Sequence, residues 1–220
     1  MKDVYLTRQQ DLLPPDAINK SITVVGAGAI GSFTVLALAK MGYTDITVYD
    51  FDTVEPENMN CQFYPVSAIG SYKVDALKAM IKTFTDVDIT VHNRAVDETD
   101  LFTGDYLICA VDSMKVRKML FDKCFATGVL IDPRMGAEYA TMEVVSQSDD
   151  HTSYKKSLYS DDEAVQERCT AKSTIYTVML ISGQIAKVVK DISTKEQYIT
   201  NLDWNIRSNA MLAFSDGVKL

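Results

Sequence analysis

Apolar residues in this chain alternate between short unbroken runs and stretches at helical spacing. Ile22 to Val25 form a β-branched run, which predicts a strand buried on both faces. Ser32 to Met41 follow with a helical pattern, and Gly42 stands where a helix C-cap is expected. A second run, Ile46 to Tyr49, ends at Asp50. Lys73 to Phe84 has the period of an amphipathic helix, and Ile89 to Asn93 reads as a short strand. Tyr106 to Val111 predicts a buried strand ending at Asp112, with a helix from Met114 to about Ala126 and another buried strand from Val129 to Asp132. Ala140 to Ser146 alternate as an antiparallel strand does, Ser173 to Val189 form an apolar helix, and the tail from Tyr198 to Phe214 suggests one or two strands.

Three stretches lie outside this rhythm. Residues 1 to about 20 read as a helical arm that breaks at Pro14-Pro15 and restarts at Asp16 as a cap. Residues 52–70 and 147–172 are polar and irregular, and loops of that length inside a compact domain are usually functional. The order of elements predicts an α/β, Rossmann-like fold: a mostly parallel sheet with helices on both faces and antiparallel C-terminal strands. Residues 1–220 are expected to form one domain, with the first 20 or so as its arm.

The turn after the first strand changes the picture from fold to ligand. It reads Gly26-Ala27-Gly28-Ala29-Ile30-Gly31-Ser32. Gly26 suits the tight turn, Gly28 lets backbone approach a phosphate, and Gly31 lets the helix pack on the strand. The free N–H groups of the helix start, Ala29 and Ile30 among them, favour an anion. Asp50 ends the next strand, where a carboxylate can bind ribose hydroxyls. Ligands in such sheets bind beyond the strand carboxyl ends, so Asp50, Asp52, Asp112 and Asp132 to Arg134 are expected to converge on one crevice.

Composition narrows the function classes. Hydrophobic residues make up 47% of the chain, which is enough for a sizeable core. With 30 acidic and 22 basic residues the formal charge is -8, and without a basic stripe nucleic-acid binding is not expected. Neither a membrane span nor a signal peptide is read, so a cytoplasmic protein is expected. None of Cys61, Cys109, Cys124 and Cys169 lies in a Cys-x-x-Cys pair, which argues against structural zinc and leaves Cys109 and Cys124 as buried small hydrophobes.

Further motifs join the glycine turn. Asp50 to Tyr64 reads Asp-Phe-Asp-Thr-Val-Glu-Pro-Glu-Asn-Met-Asn-Cys-Gln-Phe-Tyr; Ile69-Gly70-Ser71-Tyr72-Lys73 and Ala110-Val111-Asp112-Ser113-Met114-Lys115-Val116-Arg117 follow. In this combination, from about Arg8 to about Ile185, the chain resembles the ThiF/MoeB/E1 family, which adenylates the C-terminal carboxylate of ubiquitin-like and sulfur-carrier proteins. The resemblance implies ATP and Mg²⁺, without zinc. It implies that the Gly26–Gly31 turn cradles the nucleotide, Asp50 takes the ribose with Asp52 beside it, and Asn58 and Gln62 match the phosphate-contacting motif. It implies that Lys73 neutralises phosphate charge and that Asp112, next to Ser113, holds Mg²⁺. Arg8 matches the N-terminal arginine that reaches the partner subunit's site in family dimers, so a homodimer is implied. The implied partner is a small ubiquitin-like or carrier protein with a flexible C-terminal tail.

Plainer readings stand beside these. Lys73 could be a solvated lysine, Asp112 a helix cap, Asp52 the centre of an Asx turn, and Asn58 and Asn60 ordinary turn residues. The chain also departs from the family. Cys61 stands where an arginine is common, leaving Arg8, Lys73 or Arg134 to compensate. The Cys-x-x-Cys pairs of bacterial sulfur-carrier activators are absent, and Asp132-Pro133-Arg134-Met135-Gly136 looks more like ThiF-type proteins of phages, plasmids and bacterial operons. Cys169, in Arg168-Cys169-Thr170, matches a family Cys-Thr and is the candidate thioester nucleophile. His92 and His151 have no nucleophile or metal partner in sequence and read as structural. Two other functions remain open. One is an NAD-binding Rossmann oxidoreductase, which leaves Asp52, Asn58, Gln62, Lys73 and Asp112 unexplained. The other is a nucleotide-binding pseudoenzyme partner of an active E1-like protein.

Overall fold

The computed structural model describes residues 5–123, 128–147, 151–158, 173–215 and 218–219. Strands β1 (Ser21–Val25), β2 (Asp45–Asp50), β3 (Thr90–Asn93), β4 (Tyr106–Cys109) and β5 (Val129–Gly136) pair in parallel in the order β3-β2-β1-β4-β5. Strands β6 (Tyr139–Ser146), β7 (Asn201–Asn205), β8 (Ala210–Ser215) and β9 (Val218–Lys219) extend the same sheet antiparallel from β5. The tail from Tyr198 to Phe214 thus supplies two strands, β7 and β8, as its pattern suggested, and β9 follows beyond it.

Helices cover both faces. Helix α1 (Ala29–Lys40), α2 (Lys73–Thr85) and α5 (Ile175–Ser193) bury Val35, Leu38, Leu77, Ile81, Ile181 and Ile185 against Val24, Val48, Ile108 and Ile131. On the other face α3 (Met114–Lys123) and the short α4 (Thr152–Ser157) bring Leu120, Phe121 and Tyr154 to Leu107, Cys109 and Leu130. Alternation along each strand sends successive side chains to opposite faces, which is why these strands read as continuous apolar runs. Burial pushes the Cys109 thiol up, as suits a packing residue.

Two regions correct the expectations. Residues 5–6 are helical and lead into a 3-10 turn at Thr7–Gln9, and the chain bends through 15–18 without restarting a helix at Asp16. Too few residues separate Pro15 from β1 for a stable helix, and Leu13 and Ala17 are instead buried in the core. The loop expected at 147–172 contains α4, because Tyr154 is buried and its hydroxyl donates to Asp132 Oδ2 at 3.0 Å. Residues 159–172, with Cys169, lie outside the described residues. Among the described residues no helix is long and apolar enough to cross a membrane.

Candidate nucleotide site

Strand order reverses at β1, whose neighbours β2 and β4 lead to crossovers on opposite faces. At such a switch point the segments leaving the strands splay apart and open a crevice. Here it is a cleft of about 750 Å³, lined from four strand ends: Gly26 and Gly28 to Ile30 after β1, Asp50 to Asp52 after β2, Arg94 to Val96 after β3, and Ala110 to Ser113 after β4. Glu57, Asn58, Asn60 to Gln62, Lys73 and Arg117 complete much of the wall.

Gly26 sits at φ +98°, and a Cβ there would lie 2.4 Å from the Ala110 carbonyl oxygen. The bare backbone lets β1 turn sharply beside β4. Gly28 precedes α1 without a side-chain cap, so the first amides of the helix are left to water or a ligand. Asp50 braces this turn. Its Oδ2 accepts from Ala27 N at 2.6 Å and its Oδ1 from Asp52 N at 2.8 Å, so the Asx-type turn is made by Asp50 rather than Asp52. Tyr64 OH donates to Ala27 O at 2.6 Å from the far side. Burial, reinforced by the carboxylates of Asp50 and Asp52, raises the Tyr64 hydroxyl pKa, so it remains a donor at every working pH. Tyr64→Phe leaves the Ala27 carbonyl unpaired and is expected to cost about 1–2 kcal/mol in urea unfolding.

Lys73 is not a solvated lysine. It opens α2 with 7% of its surface exposed, and its Nζ donates to Asp52 Oδ2 at 2.8 Å. Its backbone amide also donates to Asp52 O at 2.9 Å, so the β2 exit and the α2 start are clamped together at the cleft wall. Asn58 has a turn role as well as its place on the wall: its Oδ1 accepts from Glu55 N at 2.8 Å and closes a capping box. Gln62 Oε1 is buried beside the cleft with no hydrogen-bond partner among the described residues, a deficit that a polar ligand would relieve.

Asp112 is exposed at the cleft, and the cap of α3 is its neighbour: Ser113 Oγ accepts from Val116 N at 3.3 Å. The carboxylate of Asp112 has no hydrogen-bond or ion partner among the described residues. Asp132 and Arg134 do not line the cleft as expected. Asp132 is fully buried beneath it, because the carboxylate is held by Arg117 Nη1, by Arg134 Nη2 at 2.7 Å and by Tyr154. Arg8 is exposed in the N-terminal turn and is not part of this chain's cleft.

Two cleft arginines escaped sequence reading. Arg94 lies 5.2 Å above the Tyr49 ring and pairs with Asp100, whose carboxyl it holds down to about 2. Its one signal was its place immediately after the β3 strand end. Arg117 lay in a quoted motif, but nothing local indicated that its guanidinium folds back under the cleft.

Residues 12–214 match the sequence profile of the ThiF family. The chain belongs to the ThiF family. Among the relatives of this ThiF-family chain is Ubiquitin-like modifier-activating enzyme 5 of Caenorhabditis briggsae, 31% identical over 122 residues, covering 48% of this chain and 28% of that protein. The tRNA threonylcarbamoyladenosine dehydratase of Bacillus subtilis is 30% identical over 135 residues, covering 56% of this chain and 51% of its own length. The chain therefore spans between about a quarter and a half of these relatives. A structure of E. coli MccB with AMPCPP and MccA superimposes with TM-score 0.74 at 16% identity, over 99% of this chain and 68% of MccB. A structure of MccB with ATP gives TM-score 0.73, also at 16% identity, over 96% of this chain and 65% of MccB. At that identity the likeness establishes a shared fold.

Proposed function

We propose that residues 1–220 act as one adenylation domain that uses ATP and Mg²⁺ to activate a substrate carboxylate, the C-terminus of a small ubiquitin-like or carrier protein. The observation that carries this reading is a convergence. Lys73, Asp112 and the uncapped start of α1 are far apart in sequence and line one cleft of about 750 Å³. ThiF-family membership and relatives named as modifier-activating enzymes support it.

In this reaction a carboxylate oxygen attacks the α-phosphorus of ATP, the bond to the bridging oxygen breaks, and pyrophosphate leaves. Attacker and target are both anionic, so positive charge and alignment are what the site must provide. The α1 amides and Lys73 would hold the phosphates, and the Asp52 pairing fixes where the ammonium sits. Gln62 and Asn58 offer further polar contacts on the same wall. Asp50 keeps lone pairs for a ribose hydroxyl while it braces the glycine turn.

The lining carboxylates Asp50, Asp52, Glu57 and Asp112 outnumber the cations Lys73, Arg94 and Arg117. A nucleoside triphosphate entering such a cleft needs a divalent cation, and Asp112 has the unpaired carboxylate to hold one. Mg²⁺ suits a single carboxylate completed by waters and phosphate oxygens, where it offsets phosphate charge. Among the described residues no cluster of three or more His, Cys, Asp or Glu side chains could form an all-protein metal cage. Arg8 does not line the nucleotide cleft of its own chain, which suits a homodimer in which it serves the partner's site. Thioester formation at Cys169 would follow adenylation in the same proposal.

Calorimetric titration tests the nucleotide. ATP with Mg²⁺ is expected to bind, and Lys73→Ala to weaken it by at least about tenfold, the equivalent of about 1.4 kcal/mol. Binding of NAD⁺ or NADH without a response to ATP would overturn the proposal in favour of an oxidoreductase. ATP binding without pyrophosphate exchange on any tested carrier would favour a pseudoenzyme.

A further inference from the structure

The geometry assigns Arg117 a positioning role: its guanidinium bridges the exits of β4 and β5 and so holds the turn that carries Asp112. The importance of Asp112 rests on the proposed function; the bridge itself does not. Arg117 is 5% exposed, in the first turns of α3. Nη2 donates to Val111 O, the carbonyl immediately before Asp112, and Nη1 donates to Asp132 Oδ1 and, at 3.2 Å, to Pro133 O. The parallel ladder between β4 and β5 ends at Ile108 and Ile131, so beyond it the two exits have no mutual backbone pairing in register. Ala110 is tied to β1 through its amide, 2.8 Å from Val25 O, and Ser113 is tied to α3 by the Arg117 amide at 3.1 Å. Between them lies the Val111–Asp112 peptide, which the arginine side chain grips from below.

A planar guanidinium suits this task because its fork reaches two acceptors in fixed directions, whereas an ammonium is a point charge on a flexible stem. Asp132 in turn orients the fork, and Arg134 and Tyr154 fix Asp132. The anchor continues to α4, since Arg134 Nη1 donates to Ser157 O at 2.8 Å. The aim of a cleft carboxylate thus depends on the bond from Arg117 to Val111 O, and the buried ions below anchor the arginine that makes it.

The test is Arg117→Lys, which keeps the buried charge and removes the fork. Hydrogen exchange on the protein without nucleotide is expected to rise at least about tenfold within 110–117 while β1 and β2 stay protected, the pattern of a local opening. The ratio of ATP affinity with Mg²⁺ to that with EDTA is expected to fall at least about fivefold. Asp132→Asn serves as a stability control: it weakens the buried pair but keeps the bond to Val111 O, so it should lower Tm without changing that ratio. If Arg117→Lys does not fold, Arg117→Met with Asp132→Asn removes both partners, an exchange that buried ion pairs often tolerate, and the same readings apply. Unchanged exchange in 110–117 overturns the bridge. Faster exchange with an unchanged Mg²⁺ ratio overturns its importance for the metal. If the wild type binds no ATP, the proposed function falls, while exchange still decides whether Arg117 holds the turn.

Discussion

Asp112→Ala is expected to remove Mg²⁺-dependent ATP turnover, a fall on the order of 100- to 1,000-fold in kcat, the range seen when one preorganised electrostatic contact is lost. The fold should survive. Asp112 is exposed, pairs with nothing among the described residues and does not cap α3, because Ser113 does. A residue with so few structural ties contributes little to stability, so its loss should appear in chemistry and metal dependence alone. The measurement is ATP conversion to AMP and pyrophosphate against Mg²⁺ concentration, beside a thermal melt. Retained turnover with the wild-type Mg²⁺ requirement would falsify the metal role. A melt lowered by many degrees would show that Asp112 is structural after all.

The second large effect is on the glycine turn, where two substitutions of the same kind should behave oppositely. A Cβ at Gly31 would lie 1.9 Å from the Gly26 carbonyl oxygen, a backbone atom that cannot step aside without opening the turn. Gly31→Ala is therefore expected to destabilise by about 3 kcal/mol or more, as overpacking against backbone does. For a chain of this size that corresponds to a drop in Tm of roughly 6–12 °C. A Cβ at Gly28 meets nothing within 4 Å among the described residues, and Gly28 lines the cleft. Gly28→Ala should fold normally and lose ATP affinity by steric exclusion. Melting curves and ATP titrations on the two variants separate these effects. A Gly31→Ala protein as stable as wild type would mean that the turn is softer than its geometry indicates, and a Gly28→Ala protein with full affinity would mean that phosphate does not approach there.

Local chemistry made the parallel half of the fold legible. Val25, Tyr49 and Val111 end runs whose periodicity is a property of neighbouring residues, and Gly26 and Gly31 mark a turn whose steric demands are local. The order of these elements then places Asp50 and Asp112 at strand exits, because parallel strands joined by right-handed crossovers leave little choice. Where local signals were weak, the reading slipped. The arm after Pro15 has the composition of a helix start but no room for a helix. Tyr154 looked like part of a loop until the sheet supplied a buried carboxylate for its hydroxyl.

The sequence by itself determined the strand–turn–helix–strand unit around the glycine turn and the residue types available to the cleft. Only the tertiary structure decided which charges face the cleft and which lie beneath it. Lys73 reads the same whether solvated or clamped to Asp52, and Asp132 reads the same as Asp112, since both end an apolar run. The difference arises from desolvation. A buried carboxylate must find cations, and packing brings Arg117 from α3 to Asp132 beside Arg134 of its own strand, whereas Asp112 is exposed and has no charge partner among the described residues.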